Sequence, residues 1–226
     1  MVKKRILALI LVLVSLFTTV FGSLSVEANS SKRTKLGNWG RIDQAPSDTT
    51  DLNLYRNFII LGSVFGSEYD DVSRNHWAYK YISAAETFKA KNDNRTSLMG
   101  GVGNNKFEPD VYIRYAHFIT AVNRAVGDNA FSSNYKYINR NKAILELWKA
   151  AGSPNVDSLS CLNKFTDAKN LDNDSKKAWA WCIEQGIING TSETTLSPYN
   201  PLTRAQAAKI IVEYYCVVNN IEIKWN

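Results

Sequence analysis

Apolar positions along the chain fall into blocks with helical spacing, separated by short polar, glycine-containing stretches. The first block is different in kind. Ile6 to Val14 form an uninterrupted apolar run, extended by Leu16, Phe17, Val20 and Phe21 and preceded by Lys3, Lys4 and Arg5. A basic start followed by a short apolar stretch predicts a secretory signal peptide over 1–28, with Val26 and Ala28 at the small-residue spacing for cleavage before Asn29. An uncleaved anchor is the alternative, for which the run is short, since a membrane span needs about 20 apolar residues. Residues 29–50 are polar and predict a flexible linker. From residue 51, Leu52, Tyr55, Phe58, Ile59 and Leu61 recur at helical spacings and predict a helix over 51–66.

Beyond that helix an order of features appears twice. Tyr69-Asp70-Asp71 is followed by a helix containing Trp77, Tyr79, Tyr81 and Ile82, and Phe165-Thr166-Asp167 by one containing Trp179, Trp181 and Ile183. Each helix leads into a glycine-containing polar loop and then an apolar-x-Pro step: Gly101 to Phe107-Glu108-Pro109 in the first copy, Gly190 to Leu196-Ser197-Pro198 in the second. A second amphipathic helix follows in each, over 112–126 and 203–215. The first copy carries extra residues, Lys91 to Thr96, in its inter-helix loop.

The second copy, with Gly186-Ile187-Ile188-Asn189-Gly190, Leu196-Ser197-Pro198 and Leu202-Thr203-Arg204-Ala205-Gln206 in order, resembles the S-layer homology domain. The first copy resembles it less closely: aligning Pro109 with Pro198 puts Tyr115 where the family has its central arginine. Ile138-Asn139-Arg140-Asn141 aligns on Leu202-Thr203-Arg204-Ala205, so Arg140 occupies the arginine position of a repeat whose first half is missing. The resemblance therefore implies an all-α bundle of helix-loop-helix repeats around a pseudo-symmetric core. It divides the chain into a partial repeat helix at 51–66, a divergent repeat at 67–127, a partial repeat at 128–157, the best-matching repeat at 158–216 and a tail at 217–226. Three complete repeats are not visible.

The family's modules hold exported proteins on Gram-positive-type envelopes by binding a secondary cell-wall polymer with an anionic, often pyruvylated, sugar. The resemblance accordingly implies a secreted, wall-associated, non-catalytic protein whose partner is such a polysaccharide, with Arg204 as the principal contact. A guanidinium at a helix N-terminus offers a planar donor fork and positive dipole to a carboxylate. Thr203 and Gln206 are placed to form a capping box around it. The other candidate glycan-binding residues are Gly190, Trp77 and Arg140. Gly190 suits either a ligand approach or a turn; Trp77 reads as a core side chain with its indole N–H near a groove; Arg140 reads as an exposed helical charge or a second contact. Trp179 and Trp181 straddle a helix, so one is expected in the core and the other partly exposed for stacking on a sugar. Asp71 and Asp167 are expected to cap the helices that follow them. The alternative function is a structural or protein-interaction module that keeps the fold without glycan binding, with self-association possible.

Composition changes this picture little. The 226 residues are 45% hydrophobic and 21% charged, which excludes disorder. The formal charge of +6 falls to +4 without Lys3, Lys4, Arg5 and Glu27, too mild a balance to argue for nucleic acid. No second spanning apolar stretch follows the first, so no membrane association is expected after cleavage. No nucleophile elbow, zinc-protease helix motif or phosphate-binding loop is present, so no catalytic residue, cofactor or metal is expected. His76 and His117 are the only histidines and have no ligand cluster beside them. Cys161, Cys182 and Cys216 allow one disulfide, for which Cys182 and Cys216 are the better placed, or three free thiols.

Overall fold

The chain divides into residues 1–47 and 48–226. The computed structural model describes residues 69–223 and 225, all in the second unit. The expected signal peptide at 1–28, linker at 29–50 and helix at 51–66 lie outside the described residues.

Five helices carry the fold: α1 (Tyr79–Thr87), α2 (Tyr115–Val126), α3 (Arg140–Ala150), α4 (Asn173–Glu184) and α5 (Arg204–Val218). Short 3-10 turns cover Ser160–Leu162 and Thr166–Asn170. The architecture is mostly helical rather than purely so. The extra residues of the first copy fold as an antiparallel hairpin, β1 (Lys89–Ala90) and β2 (Asp93–Ser97). Arg124 on α2 holds that hairpin by donating to the Ser97 and Leu98 carbonyls. Helix starts follow from local chemistry. Asn139 accepts from the Lys142 N–H at the head of α3, Asp172 from Ser175 at the head of α4, and Thr203 from Gln206 at the head of α5. Gly127 ends α2 with φ 81°, the left-handed conformation that suits glycine.

One apolar core runs through the described residues. Helix α5 packs on α1 and α2, and α3 on α4. Phe88 stacks on Tyr215 with ring centroids 5.0 Å apart, and Trp181 meets the buried Tyr214 edge-on at 6.5 Å. Trp179 and Trp181 are both buried, at 0% and 7% exposure, so neither is the exposed stacking residue expected of one of them. Trp179 packs toward α3, its indole N–H donating to Asn141 Oδ1, while Trp181 turns toward α5; two helices flank α4 and each takes one ring. All three cysteines are free, Cys182 and Cys216 in the core, so the Cys182–Cys216 bridge is absent. Among the described residues no helix is long and apolar enough to cross a membrane.

At the centre, three extended segments exchange backbone hydrogen bonds in a closed ring. Ile113 donates to Leu202, Leu202 to Ile138, and Ile138 back to Ile113, at 2.9, 3.0 and 3.3 Å. Isolated bridges pair the same segments: Tyr112 with Thr203, Arg114 with Tyr137, and Asn139 with Pro201. Each segment leads directly into a helix, so the N-termini of α2, α3 and α5 are all anchored to this ring.

Candidate functional site

The three helix heads dock by the same backbone contacts, each on the segment ahead of another helix. The N–H groups of Arg204 and Ala205 donate to Val111 and Pro109; those of Arg140 and Asn141 donate to Asn200 and Pro198; those of Tyr115 and Ala116 donate to Lys136 and Asn134. Unpaired N–H groups at a helix start are thereby satisfied by carbonyls from a different part of the chain.

Arginine side chains complete two of these junctions. Arg204 donates from Nε to the Phe107 carbonyl at 2.7 Å and from a terminal nitrogen to Gly100 at 2.8 Å, with its guanidinium 4.6 Å from the Phe107 ring. Arg140 donates from Nε to Leu196 at 2.9 Å and from a terminal nitrogen to Asn189 at 3.2 Å. Gly100 and Phe107 are the counterparts of Asn189 and Leu196 when Pro109 is set on Pro198. Both guanidinium groups are buried, at 7% and 5% exposure, so Arg140 is not an exposed helical charge. Its groove was expected to be incomplete, but the loop of the last copy supplies the missing wall. Burial pulls the Arg140 pKa down to about 10, against the charge of Asp167, and lowers that of Arg204 against Glu108, Tyr69 and Asp71.

The loops that receive the arginines are held by the two aspartates. Asp71 accepts from the N–H groups of Phe107 and Glu108, and Asp167 from those of Leu196 and Ser197. Neither caps the following helix: α1 has no side-chain cap and α4 is capped by Asp172. Both helices start several residues later, whereas each carboxylate is within reach of a loop whose Glu108 or Ser197 adopts positive φ and leaves its N–H without a ladder partner. Gly190 is required by a close approach. A Cβ there would lie 2.5 Å from the Thr195 carbonyl oxygen and 2.7 Å from the Phe165 ring, and closer still to the Ser192 carbonyl.

The third junction has no arginine at the equivalent position; its Arg114, one residue earlier, donates to the Tyr135 carbonyl at 2.7 Å. Tyr115 occupies that position, with Lys142 Nζ 5.7 Å from its ring, and Lys142 is ion-paired to Glu146 at 2.6 Å.

Four of the six candidate residues meet in one groove. Trp77, Arg140, Gly190 and Gln206 line a cavity of about 300 Å³, together with Asn189, Thr191 and Lys209. Trp77 is 54% exposed rather than in the core, its ring stacked on His76. It precedes α1, where no helix covers it. Arg204 lies instead in a second groove of about 170 Å³, with Glu108, Tyr112, Arg114, His117 and Tyr137. Thr203 lines neither; it forms the expected capping box with Gln206. Lys209 was not anticipated, although it lies one turn beyond Gln206 on the same face of α5, a spacing that could have found it. Burial pushes the Lys209 pKa down; Glu213 opposes this, and the charges of Arg140 and Lys80 add to it. No carboxylate is among the residues lining the first groove, so its charge is positive. Among the described residues no group of three or more His, Cys, Asp or Glu is placed to hold a metal ion.

Comparison with known proteins accords with this geometry. Residues 164–208, which span the 3-10 turn at Thr166–Asn170, α4, the Gly190 loop and the head of α5, match the S-layer homology domain. Over 72 residues, 32% of the chain, it is 36% identical to a cell surface protein of Thermoanaerobacter kivui. That stretch is 8% of the length of the Thermoanaerobacter protein, so the chain spans only a small part of that relative. Residues 164–208 of this chain therefore form an S-layer homology domain.

Proposed function

We propose that the protein attaches to the cell envelope without catalysing a reaction, by holding an anionic secondary wall polysaccharide in the groove between Trp77, Arg140 and Lys209. An S-layer homology domain is in general a module for attachment to cell-wall polymers, and this reading gives that role a site. The observation that carries it is the convergence, on one open groove, of two cations, an exposed indole and neutral hydrogen-bonding groups with no acid in the wall. A carboxylate such as that of a pyruvylated sugar is attracted by Lys209 and by the terminal N–H groups of Arg140 not already donated to carbonyls. Trp77 offers an apolar face to the sugar ring, and Thr191 and Gln206 offer hydroxyl and amide groups to its oxygens. In this reading the helix heads around the central ring are pseudo-equivalent, two of them open to ligand and the third filled by Tyr115. The protein is exported and held at the wall or surface layer.

A second reading keeps the fold and drops the glycan. Both arginines spend their Nε and one terminal nitrogen on carbonyls, as structural staples do. Co-sedimentation with purified wall sacculi, before and after chemical removal of the secondary polymer, separates the two. Trp77→Ala and Lys209→Ala are the informative variants because neither side chain is in the core. Glycan capture predicts that stripping the polymer abolishes binding and that each variant weakens it about tenfold, or ~1.4 kcal/mol. Binding that ignores the stripping and both substitutions would leave only the interaction module.

A further inference from the structure

The three helices that start at the central ring are not covered alike. Setting Pro109 on Pro198 places Tyr115, Ile119 and Val126 of α2 on Arg204, Ala208 and Tyr215 of α5, and the arginine register places Tyr115 and Ile119 on Arg140 and Ile144 of α3. Spacings of four and seven put these positions on one stripe of each helix. On α5 the stripe is buried and α1 covers the helix, with Phe88 stacked on Tyr215. On α3 Arg140 and Ile144 are buried and α4 covers the helix, with the Arg140 guanidinium 5.6 Å from the Trp179 ring. On α2 Tyr115, Ile119 and Val126 are only half-buried. That helix packs on α5, α3 and β1, and among the described residues it has no counterpart of α1 or α4.

The reason lies in the chain that follows. It leaves α2 at Gly127 and runs through 128–137 without a helix. This stretch lies along α2, its Ala130 carbonyl accepting from Asn123 and its Asn134 carbonyl from the Ala116 N–H. It adds apolar surface instead of closing it: Phe131 is 78% exposed, and the exposed Tyr135 meets His117 edge-on at 6.0 Å. A half-buried apolar stripe bordered by exposed rings is a site for a further element.

One segment of the chain fits it. Residues 51–66 carry Leu52, Tyr55, Phe58 and Ile59 at helical spacing, and such a helix is stable only when its apolar stripe is covered. Sixteen helical residues run about 24 Å, enough to lie along the 12 residues of α2, which run about 18 Å. The segment also ends nearby. Only Ser67 and Glu68 separate it from Tyr69, whose ring lies 5.5 Å from that of Phe107 and would be 2.5 Å from a Cβ at Gly101. The next residue, Val102, shares a groove with His117. Residues 51–66 belong to the same unit, 48–226, as all the described residues.

We propose that residues 51–66 dock as a helix on the stripe of Tyr115, Ile119 and Val126 and on Phe131, beside α2 as α1 stands beside α5 and α4 beside α3. The partial repeat at 128–157 is thereby completed by a segment that precedes the first copy. This docking is independent of any wall ligand.

Photocrosslinking from p-benzoylphenylalanine in place of Phe131, in the full chain, tests it. Phe131 is exposed, so the replacement leaves the core intact, and near-ultraviolet circular dichroism checks this. Irradiation should join residue 131 to a peptide from 51–66 within the monomer band, identified by digestion and mass spectrometry, with a yield independent of protein concentration. Phe58→Asp, on the apolar face, should abolish that product while the near-ultraviolet signal persists; Asn53→Asp, on the polar face, should not. A covalent dimer whose yield grows with concentration assigns the face to a second copy and overturns the proposal. So does a monomer in which residue 131 is joined only to 128–137 or α2, or a product that survives Phe58→Asp.

Discussion

At the scale of residues, the informative side chains are those whose partners lie far along the chain. Arg204 bonds to residues 97 and 104 positions away, and Arg140 to residues 56 and 49 away. A lysine could not replace either, because the fork reaches two carbonyls at once from a fixed plane. Asp71 works in the opposite sense, as a charged acceptor for two backbone N–H groups. Burial alone would raise its pKa, but the N–H groups of Phe107 and Glu108 outweigh it and hold the carboxyl below the usual 3.8. A depressed folded pKa gives stability that is present above the unfolded value and lost as pH falls through the folded one. Asp71→Asn should therefore lower stability near neutral pH by about 1 kcal/mol, the low end for a charged hydrogen bond because the group is partly solvated. Urea unfolding as a function of pH should show the variant and the parent converging below the usual carboxylate range. A difference that persists there would mean the effect is not electrostatic.

At the scale of elements, the loop from Ile188 to Pro198 is both a wall of the first groove and the partner of Arg140. Its tightness depends on Gly190, where a methyl group would overlap the Ser192 and Thr195 carbonyls and the Phe165 ring. Backbone atoms cannot swing aside as a flexible side chain can, so Gly190→Ala should cost about 1–3 kcal/mol through overpacking. Thermal unfolding with the backbone glycine as the only change measures this. An unchanged midpoint would show that the loop relaxes freely. The sequence showed that this loop mattered, through the spacing of Gly186, Gly190 and Pro198. It did not show why the glycine was needed: the obstructing atoms come from the loop's own far side and from Phe165. The hairpin Lys89–Ala90 and Asp93–Ser97 was visible only as extra residues, because its short polar strands lack an apolar alternation.

At the scale of the molecule, the best-matching copy does not contain its own partners. The head of α5 docks on Pro109 and Val111, and Arg204 on Gly100 and Phe107, all in the first copy. The last copy's loop in turn receives α3. A fragment of residues 158–216 should therefore lack a cooperative near-ultraviolet circular dichroism transition on heating, whereas residues 67–226 should show one. A sharp transition in the short fragment would mean that the central ring of Ile113, Ile138 and Leu202 is dispensable.

What the sequence determined by itself is the set of local units: the amphipathic helices, the Thr203–Gln206 capping box, the repeated order of aromatic, acid, glycine and proline, and the arginine at two helix heads. These are contacts within one or two turns, and spacing alone encodes them. The tertiary structure decided how the units join. It placed each arginine on another unit's loop, turned both aspartates away from helix capping, buried Trp179 and Trp181 and left Trp77 in the open. It also moved Arg204 out of the groove where Arg140 and Lys209 meet. Those outcomes depend on pairings across tens of residues, and a partner that far along the chain leaves no periodic trace beside the residue that needs it.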